Sequence, residues 1–158
     1  MIQMYGEEYG WRGYLLPELT DRWGRITATA GVGIVWALFH AAFLYSAAVA
    51  LEMSNPMQIT VIQASAAFVF SFPFAYSYYL SYGSVLPAMI LHFLWNTLNS
   101  WVFGNIYRDV DGLIAGEEVF VLSGEGVVGV VLGAIALCGF VVLFKREILL
   151  PEVKSTDG

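Results

Sequence analysis

ITATAGVGIVWALFHAAFLYSAAVAL, residues 26–51, is the stretch on which the fold turns. It contains no aspartate, glutamate, lysine or arginine, and about 20 apolar residues in a helix cross the hydrocarbon of a bilayer. Three further stretches read the same way: Met57–Tyr82, Val85–Gly104 and Gly126–Phe144. The composition agrees. The 158 residues are 58% hydrophobic and 13% charged, where a soluble domain carries roughly 25% charged residues. The sequence therefore predicts an all-α, polytopic membrane helix bundle with four transmembrane helices, forming a single domain over residues 1–150 with a polar tail at 151–158.

The segments between the spans set the expected topology. Met1–Leu16 reads as a short amphipathic or partly embedded helix that ends before Pro17, because a residue preceding proline is steered away from helical geometry. Glu18–Arg25 then forms a charged connector. Arg22 and Arg25 precede the first span, and Lys145 and Arg146 follow the last. With four spans, the positive-inside rule puts both termini in the cytoplasm, and a prokaryotic cell membrane is the expected setting. The Asn105–Glu125 loop faces outward and carries Asp109, Asp111, Glu117, Glu118 and Glu125 against Arg108. The first residues are polar and aromatic rather than basic then apolar, so no signal peptide is expected. A net charge of −6 leaves no strongly basic face, so nucleic acid is not a partner.

Several residues are expected to serve packing. Cys138, the single cysteine, reads as a small packing residue. Pro73 is expected to kink the second span. The aromatics of that span, Phe68, Phe70, Phe72, Phe74, Tyr76, Tyr78 and Tyr79, read as lipid-facing and interfacial, the competing reading being a groove for a lipidated substrate. Gly129 and Gly133 lie one helical step apart and permit close helix approach, within the chain or in a homo-oligomer.

The polar residues inside the apolar stretches carry the chemistry. His40 and His92 are the only histidines, and each lies in an apolar run. Hydrocarbon offers a polar group no hydrogen bonds, so such a group is paired or functional. His92 and Asn96 are four residues apart and share a helix face, from which both could donate hydrogen bonds to one developing oxyanion. Glu8 and Arg12 are also four apart and are expected to form an ion pair. Glu7, one residue earlier, points elsewhere and is left for general-base work, with His40 helping to polarise a water. The competing reading makes the two histidines structural, each capping backbone carbonyls between helices, and makes Asn96 an interhelical hydrogen-bonding residue.

These residues resemble the CPBP family, which includes CAAX prenyl endopeptidases and the bacteriocin-processing and immunity-type membrane proteins labelled Abi. The Glu7-Glu8…Arg12 pattern is similar to the family's first motif. Trp36…His40 resembles the second, with tryptophan where the family usually has phenylalanine. His92…Asn96 resembles the third. The resemblance covers residues 7–96, in the family's order. It implies a glutamate-dependent intramembrane endopeptidase acting on a prenylated or membrane-bound peptide. Glu7, His40, His92 and Asn96 would be catalytic, with Glu8, Arg12 and Trp36 supporting them. Relatives carry further spans before the first motif, which implies either a short member or missing N-terminal helices. Metal use stays open. Glu7, His40 and His92 could hold zinc, but the chain has no His-Glu-x-x-His helix, and a metal-free mechanism is favoured. The rival is a non-catalytic membrane protein of the same fold, serving immunity or scaffolding. A transporter or proton path is weakened by the absence of an obvious internal repeat.

Overall fold

In the computed structural model, which describes residues 2–105, 110–114 and 123–146, the chain is a helical bundle. The tail at 151–158 and Arg108, Asp109, Glu117 and Glu118 of the acidic loop lie outside the described residues. The helices are α1 (Ile2–Glu8), α2 (Leu16–Ala50), α3 (Pro56–Leu80), α4 (Leu86–Phe103) and α5 (Val127–Arg146). A π-helical segment, Tyr9–Leu15, joins α1 to α2. Among the described residues the one β feature is an isolated bridge between Asn105 and Val110.

The N-terminal helix does not stop before Pro17. Proline occupies the first turn of α2, where its missing N–H and fixed φ cost nothing, and the preceding turn is already wide because its backbone is π-helical. The chain bends instead at Gly24, which has φ 74° and ψ 164° inside α2, a conformation that glycine tolerates without steric cost. What was expected to be a charged connector is thus helix up to that bend. The Tyr79 hydroxyl clamps it from α3: it lies 2.6 Å from Thr20 Oγ1, before the bend, and its ring lies 5.4 Å from the guanidinium of Arg25, after it.

Among the described residues, three helical stretches are long and apolar enough to cross a membrane: Ile2–Ala50, Pro56–Leu80 and Val127–Lys145. α4 does not meet that standard, because His92, Asn96, Asn99 and Ser100 dilute its apolar residues. Large apolar side chains such as Leu38, Val131, Leu132 and Ile135 point outward, as they do where lipid is the solvent.

α3 is the central helix, packed against α2, α4 and α5. Its aromatics are therefore not lipid-facing as a group: Phe72, Phe74, Tyr78 and Tyr79 are buried in the core. The reason is position in the bundle, which periodicity cannot reveal in a helix apolar on every side. α3 runs on through Pro73. Cys138 is exposed rather than packed. The small-residue step in α5 serves the chain itself, since a side chain at Gly133 would collide with Val69 of α3. Gly133→Val should force α5 away from α3 and destabilise the bundle by about 1–3 kcal/mol. An unfolding temperature in detergent equal to wild type would contradict that packing.

Candidate functional site

Glu8 and Arg12 organise the site. Both side chains are 0% exposed, and Arg12 Nη1 donates to Glu8 Oε1 at 3.0 Å. The same oxygen accepts from His92 Nδ1 at 2.8 Å, a contact that joins α1 to α4 across 84 residues of sequence. Arg12 Nη2 lies 3.4 Å from Ser71 Oγ of α3. Its guanidinium packs over the Trp36 ring at 4.5 Å and the Phe74 ring at 5.1 Å. A desolvated cation gains from such ring faces. One carboxylate therefore ties the N-terminal helix, through its partners, to α2, α3 and α4.

Glu7 faces the other way, as its one-residue offset from Glu8 requires. Its Oε1 accepts from Gln3 at 3.3 Å. Its Oε2 is buried, makes no hydrogen bond, and lies 4.0 Å from His40 Nε2. His40 Nδ1 lies 2.9 Å from the carbonyl oxygen of Trp36, one helical turn back. A carbonyl only accepts, so Nδ1 carries the proton, and the Nε2 of a neutral ring is an acceptor that faces the acceptor oxygen of Glu7 without a hydrogen bond between them. The same logic applies to His92. Glu8, ionised beside Arg12, accepts from Nδ1, and Nε2 is the atom left for other partners.

Trp36 sits between the two imidazoles, with ring centroids 5.2 Å from His40 and 5.6 Å from His92, both edge-on. The indole thus touches Arg12, His40 and His92 at once.

Glu7, Trp36, His40, His92 and Asn96 line one cavity of about 330 Å³. Apolar walls come from α2 and α3, with Phe43, Leu44, Phe70 and Phe74 among them. The cavity also holds residues that the sequence reading did not single out. Asn99 and Ser100 continue the polar face of α4 below Asn96, and their spacing of seven and eight from His92 was a legible sign. Gln63 and Glu125 were not legible. Gln63 lies amid the apolar residues of α3, and Glu125 belongs to a run of loop acids. Gln63 Nε2 donates to Glu125 Oε2 at 3.2 Å, and the amide of Gly124 donates to Asn99 Oδ1 at 3.0 Å. Burial, more than any other cause, pushes the Glu125 carboxyl pKa up, against the opposing pulls of Gln63 and His92.

The expected grouping is therefore met in part. Glu7 meets His40, Glu8 meets Arg12, and all the named residues of α2 and α4 face one space. His92 and Asn96 share the cavity, but His92 has one ring nitrogen committed to Glu8. For zinc, no group of three or more His, Cys, Asp or Glu side chains is placed to hold a metal ion among the described residues. Glu8→Ala should leave Arg12 a buried, uncompensated charge and cost roughly 3–5 kcal/mol. An unchanged unfolding temperature would count against the pair as the site's anchor.

Residues 1–98 match the family model described as Type II CAAX prenyl endopeptidase Rce1-like. No curated protein and no solved structure matches the chain. The chain belongs to the Rce1-like CAAX prenyl endopeptidase family, and with its long apolar helices it is an integral membrane protein.

Proposed function

We propose that this member of the family hydrolyses a peptide bond of a prenylated or membrane-bound protein with a water activated by Glu7. The observation that carries the reading is the pair of acceptors facing each other, Glu7 Oε2 and His40 Nε2, 4.0 Å apart on the cavity wall. A water donating hydrogen bonds of about 2.8 Å to both would subtend about 90° at its oxygen, close to its own H–O–H angle. Both its protons are then engaged, and its lone pairs point into the cavity.

The steps follow from that arrangement. The water oxygen adds to the scissile carbonyl carbon while Glu7 takes a proton, and the carbonyl π electrons pass to oxygen. Asn96 donates its amide N–H to that oxyanion. His92 can also donate from Nε2 when its ring is an imidazolium, with Glu8 as counter-charge. The tetrahedral intermediate collapses by breaking the carbon–nitrogen bond, and Glu7 returns its proton to the leaving amine. Every step uses side chains of the chain itself and none is routed through a metal. Such general-base catalysis contributes typically 10²–10⁴-fold.

The membrane setting supports this reading. α4 is about 27 Å long at 1.5 Å per residue, near the hydrocarbon thickness of about 30 Å. We take it as a fourth crossing whose polar face turns to the cavity rather than to lipid. The Gly24 bend, with Arg22 and Arg25, and the end of α5, with Lys145, then lie on the cytoplasmic side, and the N-terminal helix runs from that bend into the bilayer to bring Glu7 to His40.

Glu7→Gln should abolish hydrolysis of a prenylated peptide by at least about 100-fold while the unfolding temperature stays at the wild-type value. Turnover equal to wild type would sink the general-base assignment. Prolonged chelation with a zinc-binding chelator should leave activity intact. Loss of activity that added zinc restores would instead require a metal-based mechanism.

A further inference from the structure

Glu125 lies beyond the residues that match the family model, yet it lines the same cavity as Glu7 and His92. It is held there from two sides. Gln63 of α3 bonds its carboxylate directly, and the neighbouring Gly124 amide is tied to Asn99 of α4. Gly124 itself has no room for a side chain, because a Cβ would meet the Trp95 ring. The turn that carries Glu125 is therefore docked on α4 at the level of Asn99.

That level fixes a distance. Asn99 is seven residues from His92 on one helix, which is roughly 10 Å along the axis. An extended peptide covers that distance in about three residues, at roughly 3.3 Å each. Asn96 lies between the two levels and Asn99 and Ser100 at the far one, all on the cavity wall, and their amide and hydroxyl groups can hydrogen-bond a peptide backbone.

Among the described residues the charge in this cavity is one-sided: its lining contains two carboxylates, Glu7 and Glu125, and no lysine or arginine. Glu8 and Arg12 cancel each other in the wall behind it. Among the described residues, the hydrogen-bond partner of Glu125 is the neutral Gln63. A largely desolvated carboxylate with a neutral partner gains from a cation that joins it.

We propose that Glu125 is a specificity-determining residue that binds a lysine or arginine of the substrate peptide, two to four residues from the scissile bond. This rests on the endopeptidase reading given above. It predicts that a peptide with a basic residue at that place is preferred, and one with an acidic residue is excluded by like-charge repulsion.

The test measures binding apart from hydrolysis. Fluorescent prenylated peptides, identical except for lysine or aspartate scanned through the residues flanking the cleavage position, are titrated onto the Glu7→Gln protein in detergent. The lysine peptide should bind about fivefold or more tightly than its aspartate partner at one such position. Adding Glu125→Gln, which keeps the size and the hydrogen bond with Gln63, should bring the two within twofold. Adding Glu125→Lys should invert the order. Circular dichroism and unfolding temperature establish that each variant is folded, and the salt dependence of the lysine peptide on Glu7→Gln alone gives a readout without any change at Glu125.

Equal binding of the two peptides throughout the scan overturns the proposal. So does a lysine preference that persists unchanged in Glu125→Gln, or folded protein that binds neither peptide. If wild type cleaves none of the peptides while Glu125 still governs the lysine preference, the hydrolytic reading falls and the assignment of Glu125 stands.

Discussion

A carboxylate and a guanidinium, both fully withdrawn from solvent, hold this structure in register. Charges taken out of water are costly, and the cost is offset only when geometry and further hydrogen bonds are good. Here the pair is served by His92, by Ser71 and by the faces of Trp36 and Phe74. They come from α2, α3 and α4, so the pair cannot be buried with its partners unless those helices are in place. Conversely, those helices have few polar reasons to sit where they do apart from this cluster. Apolar side chains gain little by meeting one another rather than lipid, so polar contacts and close packing carry more of the specificity in a membrane.

The consequence for the cavity is orientation. Glu8 fixes the ring of His92, and the Trp36 carbonyl fixes the ring of His40. Trp36 wedges between the two rings and packs on the guanidinium of Arg12. Glu7 keeps a carboxylate oxygen without a hydrogen bond, while its neighbour Glu8 takes the arginine. Two adjacent glutamates thus meet two environments through a rotation of about 100° per residue on a helix. The apolar walls suit a site in which charge must be stabilised by fixed groups rather than by water.

Much of this was legible in the sequence. Spacings of four placed Glu8 with Arg12 and His92 with Asn96, since side chains at that interval share a face whatever the tertiary fold. The bounds of α3, α4 and α5 were legible within a few residues, because length and apolar content are local properties, whereas the helix that runs from Ile2 into α2 was not. The union of Glu8 with His92 was not legible, as no rule of periodicity joins residues 84 apart. Nor were the π-helical turn, the bend at Gly24 and the burial of the α3 aromatics, which depend on what packs against each helix. Pro17 misled for a physical reason: it sits in a first turn, where proline is accommodated, and the true break lay at a glycine seven residues on. Glu125 hid among loop acids, and only its docking on Asn99 and Gln63 sets it apart.

Both histidines are held by Nδ1 and keep Nε2 for the cavity side. Because the chain has only two histidines, nitrogen-15 NMR of histidine-labelled protein in detergent, assigned with His40→Asn and His92→Asn, reads this directly. The account predicts that in the neutral state both rings carry their proton on Nδ1, and that Glu8→Gln perturbs the His92 signals far more than those of His40. A neutral His92 protonated on Nε2, or one indifferent to Glu8, would contradict it.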